Sequence, residues 1–97
     1  MTSRELQFPQ GSNGIAVADS LKANQVMQYQ LWLGADQSVT VFHEGAIAVE
    51  VYDPNGVLLQ DERDGNPKSL QTAIGGMYQI RVSSEAPVDF QLFIDAF

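Results

Sequence analysis

Apolar and polar residues alternate with a period of two through most of this chain. Met27, Tyr29, Leu31 and Leu33 fall on one side of an extended backbone, and Gln28, Gln30 and Trp32 on the other. Val39, Val41 and His43 oppose Ser38, Thr40 and Phe42, and Ile47, Val49 and Val51 oppose Ala48, Glu50 and Tyr52. Tyr78, Ile80 and Val82 oppose Met77, Gln79 and Arg81; Phe90, Leu92 and Ile94 oppose Asp89, Gln91, Phe93 and Asp95. Residues 17–30 come nearest to a helix, but their apolar positions do not hold an i, i+3, i+4 stripe. Turn residues interrupt the alternation at Gly34-Ala35-Asp36, Glu44-Gly45, Asp53-Pro54-Asn55-Gly56, 61–67, Gly75-Gly76 and 83–87. Turns spaced at about 8–12 residues mark a sandwich or barrel. The pattern predicts an all-β, single-domain antiparallel sandwich of about eight strands. They cover 5–8, 14–21, 26–33, 38–43, 46–52, 57–60, 77–83 and 88–95, with a further candidate at 69–73. Residues 1–13 read as an extended N-terminal segment. The core is expected at Tyr29, Leu31, Val39, Val41, Val49, Val51, Tyr78, Ile80, Val82, Phe90 and Leu92.

Composition narrows the function classes. The chain has 97 residues and 44% hydrophobic content, which suits one globular domain. No apolar run approaches the ~18 residues that cross a bilayer, so membrane insertion is not expected. The start, MTSRELQFPQGSNG, lacks the charged-then-apolar layout of a signal peptide. The expectation is either a cytosolic protein or a mature fragment behind a replacement Met1. There is no cysteine, which excludes disulfides, thiol catalysis and thiolate zinc. Twelve acidic residues against five basic ones give a net charge of −7. Such a chain repels phosphate, so nucleic acid is an unsuitable partner. The bland reading of the acidity is solubility.

In order, the segments QVMQYQLWL, GADQSVTV, AIAVEVYDPNG, GGMYQIRVSS and VDFQLFI resemble the bacterial pre-peptidase C-terminal domain. The residues that carry the resemblance are Tyr29, Leu31, Leu33, Gly34, Val39, Val41, Val49, Val51, Asp53 and Gly56. Gly76, Tyr78, Ile80, Val82, Phe90, Leu92 and Ile94 complete it. The resemblance implies a jelly-roll-like sandwich and a non-catalytic accessory module beside secreted peptidases. It implies an extracellular or periplasmic location and a protein or polysaccharide partner, with calcium bound in some members. No enzyme domain accompanies the module in these 97 residues.

Chemistry-bearing constellations are sparse. His43 is the only histidine. A histidine base needs an orienting carboxylate and a nucleophile, and spacing supplies neither, so a rim histidine at a strand end is expected. Asp53, Asp61, Glu62 and Asp64 flank one short strand, and oxygen donors suit calcium. The run DERDGN lacks EF-hand spacing, and Asp ahead of Pro-x-Gly more simply bonds its own turn. No cofactor is therefore expected, with calcium on Asp53, Asp61 and Asp64 as the alternative. A glycosidase-like acid pair would need a cleft that nothing here announces. Gly75-Gly76 leads into no helix and has no basic neighbour, so it is not a phosphate cradle. Tyr78, after a glycine turn, has the position of a corner-anchoring tyrosine.

The sharper observation is aromatic. Trp32, Phe42, Tyr52, Met77 and Phe93 sit opposite the most apolar row of their strands. On an outer face they would form a binding platform, with Trp32 as anchor and Gln30, Phe42 and Phe93 beside it. The competing reading is that loops, or Leu6 and Phe8, cover them. Three functions follow. The first is the accessory binding module, and the second a free-standing inhibitor of a basic hydrolase such as a lysozyme. The third is a subunit that donates or accepts a strand through the N-terminal segment. Enzymatic activity is not expected.

Overall fold

The computed structural model describes residues 2–97 and contains nine strands. They are β1 (Thr2–Leu6), β2 (Gly14–Leu21), β3 (Val26–Leu33), β4 (Ser38–Glu44), β5 (Ala48–Tyr52), β6 (Leu58–Gln60), β7 (Lys68–Gln71), β8 (Gly76–Ser83) and β9 (Val88–Ala96). The only helical element among the described residues is a single 3-10 turn, Glu62–Asp64. One sheet has the order β1-β3-β8-β5-β6 and the other β2-β9-β4-β7. Four antiparallel pairs are nested: β2 with β9, β3 with β8, β4 with β7 and β5 with β6. That nesting is the jelly-roll arrangement, a long hairpin rolled into two facing sheets.

The inward rows follow the alternation. Tyr29, Leu31, Val39, Val41, Val49, Val51, Tyr78, Ile80, Val82, Phe90 and Leu92 are all buried, joined by Leu6, Val17, Leu21, Leu33, Ile94 and Ala96. Phe8 packs against this core from the segment that links the two sheets. Leu6 and Phe8 thus close the interior and do not cover the outer faces.

Two buried tyrosines bind their corners through hydroxyls. Tyr78 donates to the Ile74 carbonyl at 2.6 Å, the corner role expected for it. Tyr29, on β3, donates to Asp19 Oδ2 on β2 at 3.0 Å and ties the two sheets together. Burial, reinforced by Asp19, holds the Tyr29 hydroxyl well above its ordinary pKa. Thr72 donates to the Gly34 carbonyl at 2.6 Å and accepts from the Gln37 N–H at 2.8 Å, locking two loops at one end.

Two expectations are corrected. The first strand covers residues 2–6, not 5–8, because its partner is the parallel strand β3, with Leu6 opposite Leu31. Pro9 follows, and a residue without an N–H does not extend a ladder. The segment expected to be free for strand exchange is therefore paired within its own chain. Residues 61–67 are held from below by buried Lys68. Its ammonium donates to the carbonyls of Asp61 at 2.7 Å and Gly65 at 2.8 Å. The Asn66 side chain continues the β4 ladder, accepting from the His43 N–H at 3.0 Å and donating to its carbonyl at 2.8 Å.

Candidate binding surfaces

Trp32 stands on the outer face of the five-stranded sheet, 66% exposed. Its cross-strand partner is Met77, and one step along the strand Gln30 faces Gln79. Part of this face is internally paired. Arg81 donates to Gln28 Oε1 at 3.0 Å, and its guanidinium lies 4.4 Å from the centre of the Tyr52 ring. Tyr52 in turn donates to Glu50 Oε1 at 3.3 Å. Trp32 projects beyond this network.

Phe42 and Phe93 are on the other sheet. They are direct cross-strand partners on β4 and β9, with ring centres 5.8 Å apart and planes tilted by 33°. The expected platform of Trp32, Gln30, Phe42 and Phe93 is therefore divided between opposite faces of the sandwich. The cause is the jelly-roll path: β3 ends in one sheet and β4 begins in the other. Alternation tells which side of a strand faces out, but not which sheet the strand joins.

Around the phenylalanine pair the outer face is open and acidic. Ala16 lies beside Phe93, and Ala18 beside Gln91, which faces Glu44. Asp89 accepts from the Ser20 hydroxyl at 2.6 Å. The Asp95 carboxylate lies over Gly14, where a Cβ would meet Asp95 Oδ1. No outward position of β2, β4, β7 or β9 is Lys or Arg. A shallow depression of about 500 Å³ opens at the Gly45 end of this face, walled by Asp19, Ser20, Glu44, Gly45 and Asp89. Gly45 also lines a second depression, of about 720 Å³, with His43, Ile47, Glu62 and Glu85.

Gly45 is required where it is. Its φ is +107°, and a Cβ there would lie 2.8 Å from the Asp89 carbonyl. His43 is half-buried at the end of its strand, as expected, and its Nδ1 is buried without a hydrogen-bond partner among the described residues. Burial holds its pKa below the ordinary 6.5, and the charge of Lys68 acts in the same direction.

The carboxylates considered for calcium are separated by the length of β6. Asp53 Oδ1 accepts from the N–H groups of Asn55 and Val57, both at 2.9 Å, and so shapes its own turn. At the far end of β6, Asp61 and Asp64 form a reciprocal cap. Asp61 Oδ1 accepts from the Arg63 N–H at 2.8 Å, and Asp64 Oδ2 from the Asp61 N–H at 2.7 Å. The structure does not bring Asp53 together with Asp61 and Asp64.

The sequence reading missed the acidic frame of the phenylalanine face. Glu44, Asp89 and Asp95 are far apart in the chain, and only the β2-β9-β4 order places them on one surface. It also missed the Asp19–Tyr29 bond. Asp19 at an inward position of a strand was the available signal, because a buried carboxylate demands a donor.

No family model matches the chain, and no curated protein matches it. Solved structures do. A periplasmic inhibitor of g-type lysozyme from Aeromonas hydrophila, PliG, superposes with a TM-score of 0.89 at 18% identity, covering 99% of this chain and 96% of that one. A mutant of the Escherichia coli PliG gives 0.78 at 12% identity, with 99% and 98% covered. The Salmonella Typhimurium PliG gives 0.74 at 12% identity, with 100% and 99% covered. At these identities the likeness establishes the fold.

Proposed function

We propose that this protein is a non-catalytic inhibitor that binds a g-type lysozyme in the periplasm. The observation that carries the reading is the coextensive match: a TM-score of 0.89 that spans 99% of this chain and 96% of a periplasmic inhibitor of that enzyme class. The match leaves almost nothing of either chain unaccounted for. The charge of −7 supports a basic partner, since opposite net charges speed encounter.

The test is titration of purified protein into a g-type lysozyme that is clearing a peptidoglycan suspension. Stoichiometric loss of activity at enzyme concentrations well below a micromolar is expected, with less effect on a c-type lysozyme. Undiminished clearing at ~10 μM protein, a concentration that saturates any micromolar complex, would refute the reading.

A second reading, the accessory module implied by the resemblance to pre-peptidase C-terminal domains, draws support from Trp32 with Gln30 and Gln79 beside it. An exposed indole flanked by amides suits a sugar ring. Co-sedimentation with insoluble peptidoglycan or collagen, lost in Trp32→Ala, would favour it over the inhibitor.

A further inference from the structure

We propose that the outer face of the four-stranded sheet, centred on Phe42 and Phe93, is the docking surface, and that its occupant is a protein surface rich in Lys and Arg. This rests on the inhibitor reading and locates the contact within it.

The face has the anatomy of a binding interface. Its centre is apolar: Phe42 is 37% exposed, and its ring leans on that of Phe93. Ala16 and Ala18 on the neighbouring strand leave one side of the pair uncovered. Aromatic anchors at the middle of a patch, ringed by polar groups that exclude water, carry most of the energy of typical interfaces. The ring here is made of Glu44, Gln91, Asp89 and Asp95.

Charge selects the partner. Three carboxylates frame the pair, and no cation on the same face offsets them. One is held before any partner arrives, Asp89 by the Ser20 hydroxyl. Preorganised acceptors lose little freedom on binding. The 500 Å³ depression at the Gly45 end of the face, walled by Glu44 and Asp89, gives one basic side chain a place to enter. The opposite face differs in kind. Its outward carboxylates, Glu5 and Glu50, share the face with a cation, Arg81, which is bonded to Gln28 and lies over the Tyr52 ring. The backbone of the docking face is also stiff, because β9 is laddered on both sides, to β2 and β4.

The experiment compares inhibition of a g-type lysozyme by wild type, Phe42→Ala, Ala18→Arg, the pair Glu44→Gln with Asp95→Asn, and Trp32→Ala. Thermal melts confirm folding for each. Phe42→Ala is expected to weaken inhibition by about 30-fold or more, the range of a central anchor. Ala18→Arg touches no core residue and covers any folding failure of Phe42→Ala; it is expected to weaken inhibition as strongly. The paired carboxylate variant is expected to slow association by about 10-fold at low salt, with the difference fading as salt rises. Trp32→Ala, on the opposite face, is expected to stay within twofold. If wild type inhibits but Phe42→Ala and Ala18→Arg do so equally well, or if Trp32→Ala alone fails, the surface is wrong and the inhibitor reading stands. If wild type itself does not inhibit, the function and the surface fall together.

Discussion

Truncating Leu92 to alanine tests the packing on which both faces depend. Leu92 lies mid-way along β9 with no exposed surface, between Val17 of β2 and His43 of β4. The substitution removes three buried carbons, worth about 2.5 kcal/mol at ~0.8 kcal/mol each. Strands bonded on both sides of β9 cannot close over the gap, so the residual cavity adds about 1 kcal/mol or more. The total, roughly 3–4 kcal/mol, is a large part of the ~5–15 kcal/mol that stabilises a domain of this size. Urea unfolding followed by far-ultraviolet circular dichroism is the suitable assay. Trp32 fluorescence reports poorly, because the indole is already in water in the folded state. An unchanged slope with a lower midpoint is expected, together with a fall in melting temperature of roughly 12–30 °C. A loss below about 1 kcal/mol would mean that the centre of β9 is not clamped as described.

The other expectations are more local. Trp32→Ala changes stability by less than about 0.5 kcal/mol, and the wild-type indole is red-shifted and open to a neutral quencher; a shielded, blue-shifted indole would contradict its exposure. Gly45→Ala costs at least about 2 kcal/mol by equilibrium unfolding, because it combines positive φ with a collision against the Asp89 carbonyl; a neutral result would refute the turn geometry. The raised pKa of Tyr29 keeps it protonated in the folded state after the unfolded chain begins to ionise, so its contribution is complete below pH 10 and declines above it. Tyr29→Phe should flatten that alkaline loss in a pH series of melts, and an unaltered slope would speak against the buried hydroxyl. Melting temperatures in millimolar calcium and in chelator should agree within about a degree, whereas a rise of several degrees, lost in Asp61→Asn or Asp64→Asn, would establish a metal site.

Period-two alternation was enough to assign the class, most strand positions and the whole expected core, because side-chain facing is a local property of extended backbone. Val49 and Val51 point inward whatever else the chain does. Three things were not local. The position of β1 depends on parallel pairing with a strand 25 residues later, Thr2 opposite Met27, and no turn announces it. The short strand β7 is anchored by Lys68, a residue whose type argues for the surface until its ammonium finds two loop carbonyls. Above all, the allocation of strands to sheets separated Trp32 from Phe42 and Phe93, and united Phe42 with Glu44, Asp89 and Asp95. A strand reads the same in either sheet, since both faces of a sandwich present the same alternation. Which outward residues become neighbours is decided by long-range ladder pairing, whose partners lie up to the length of the chain apart.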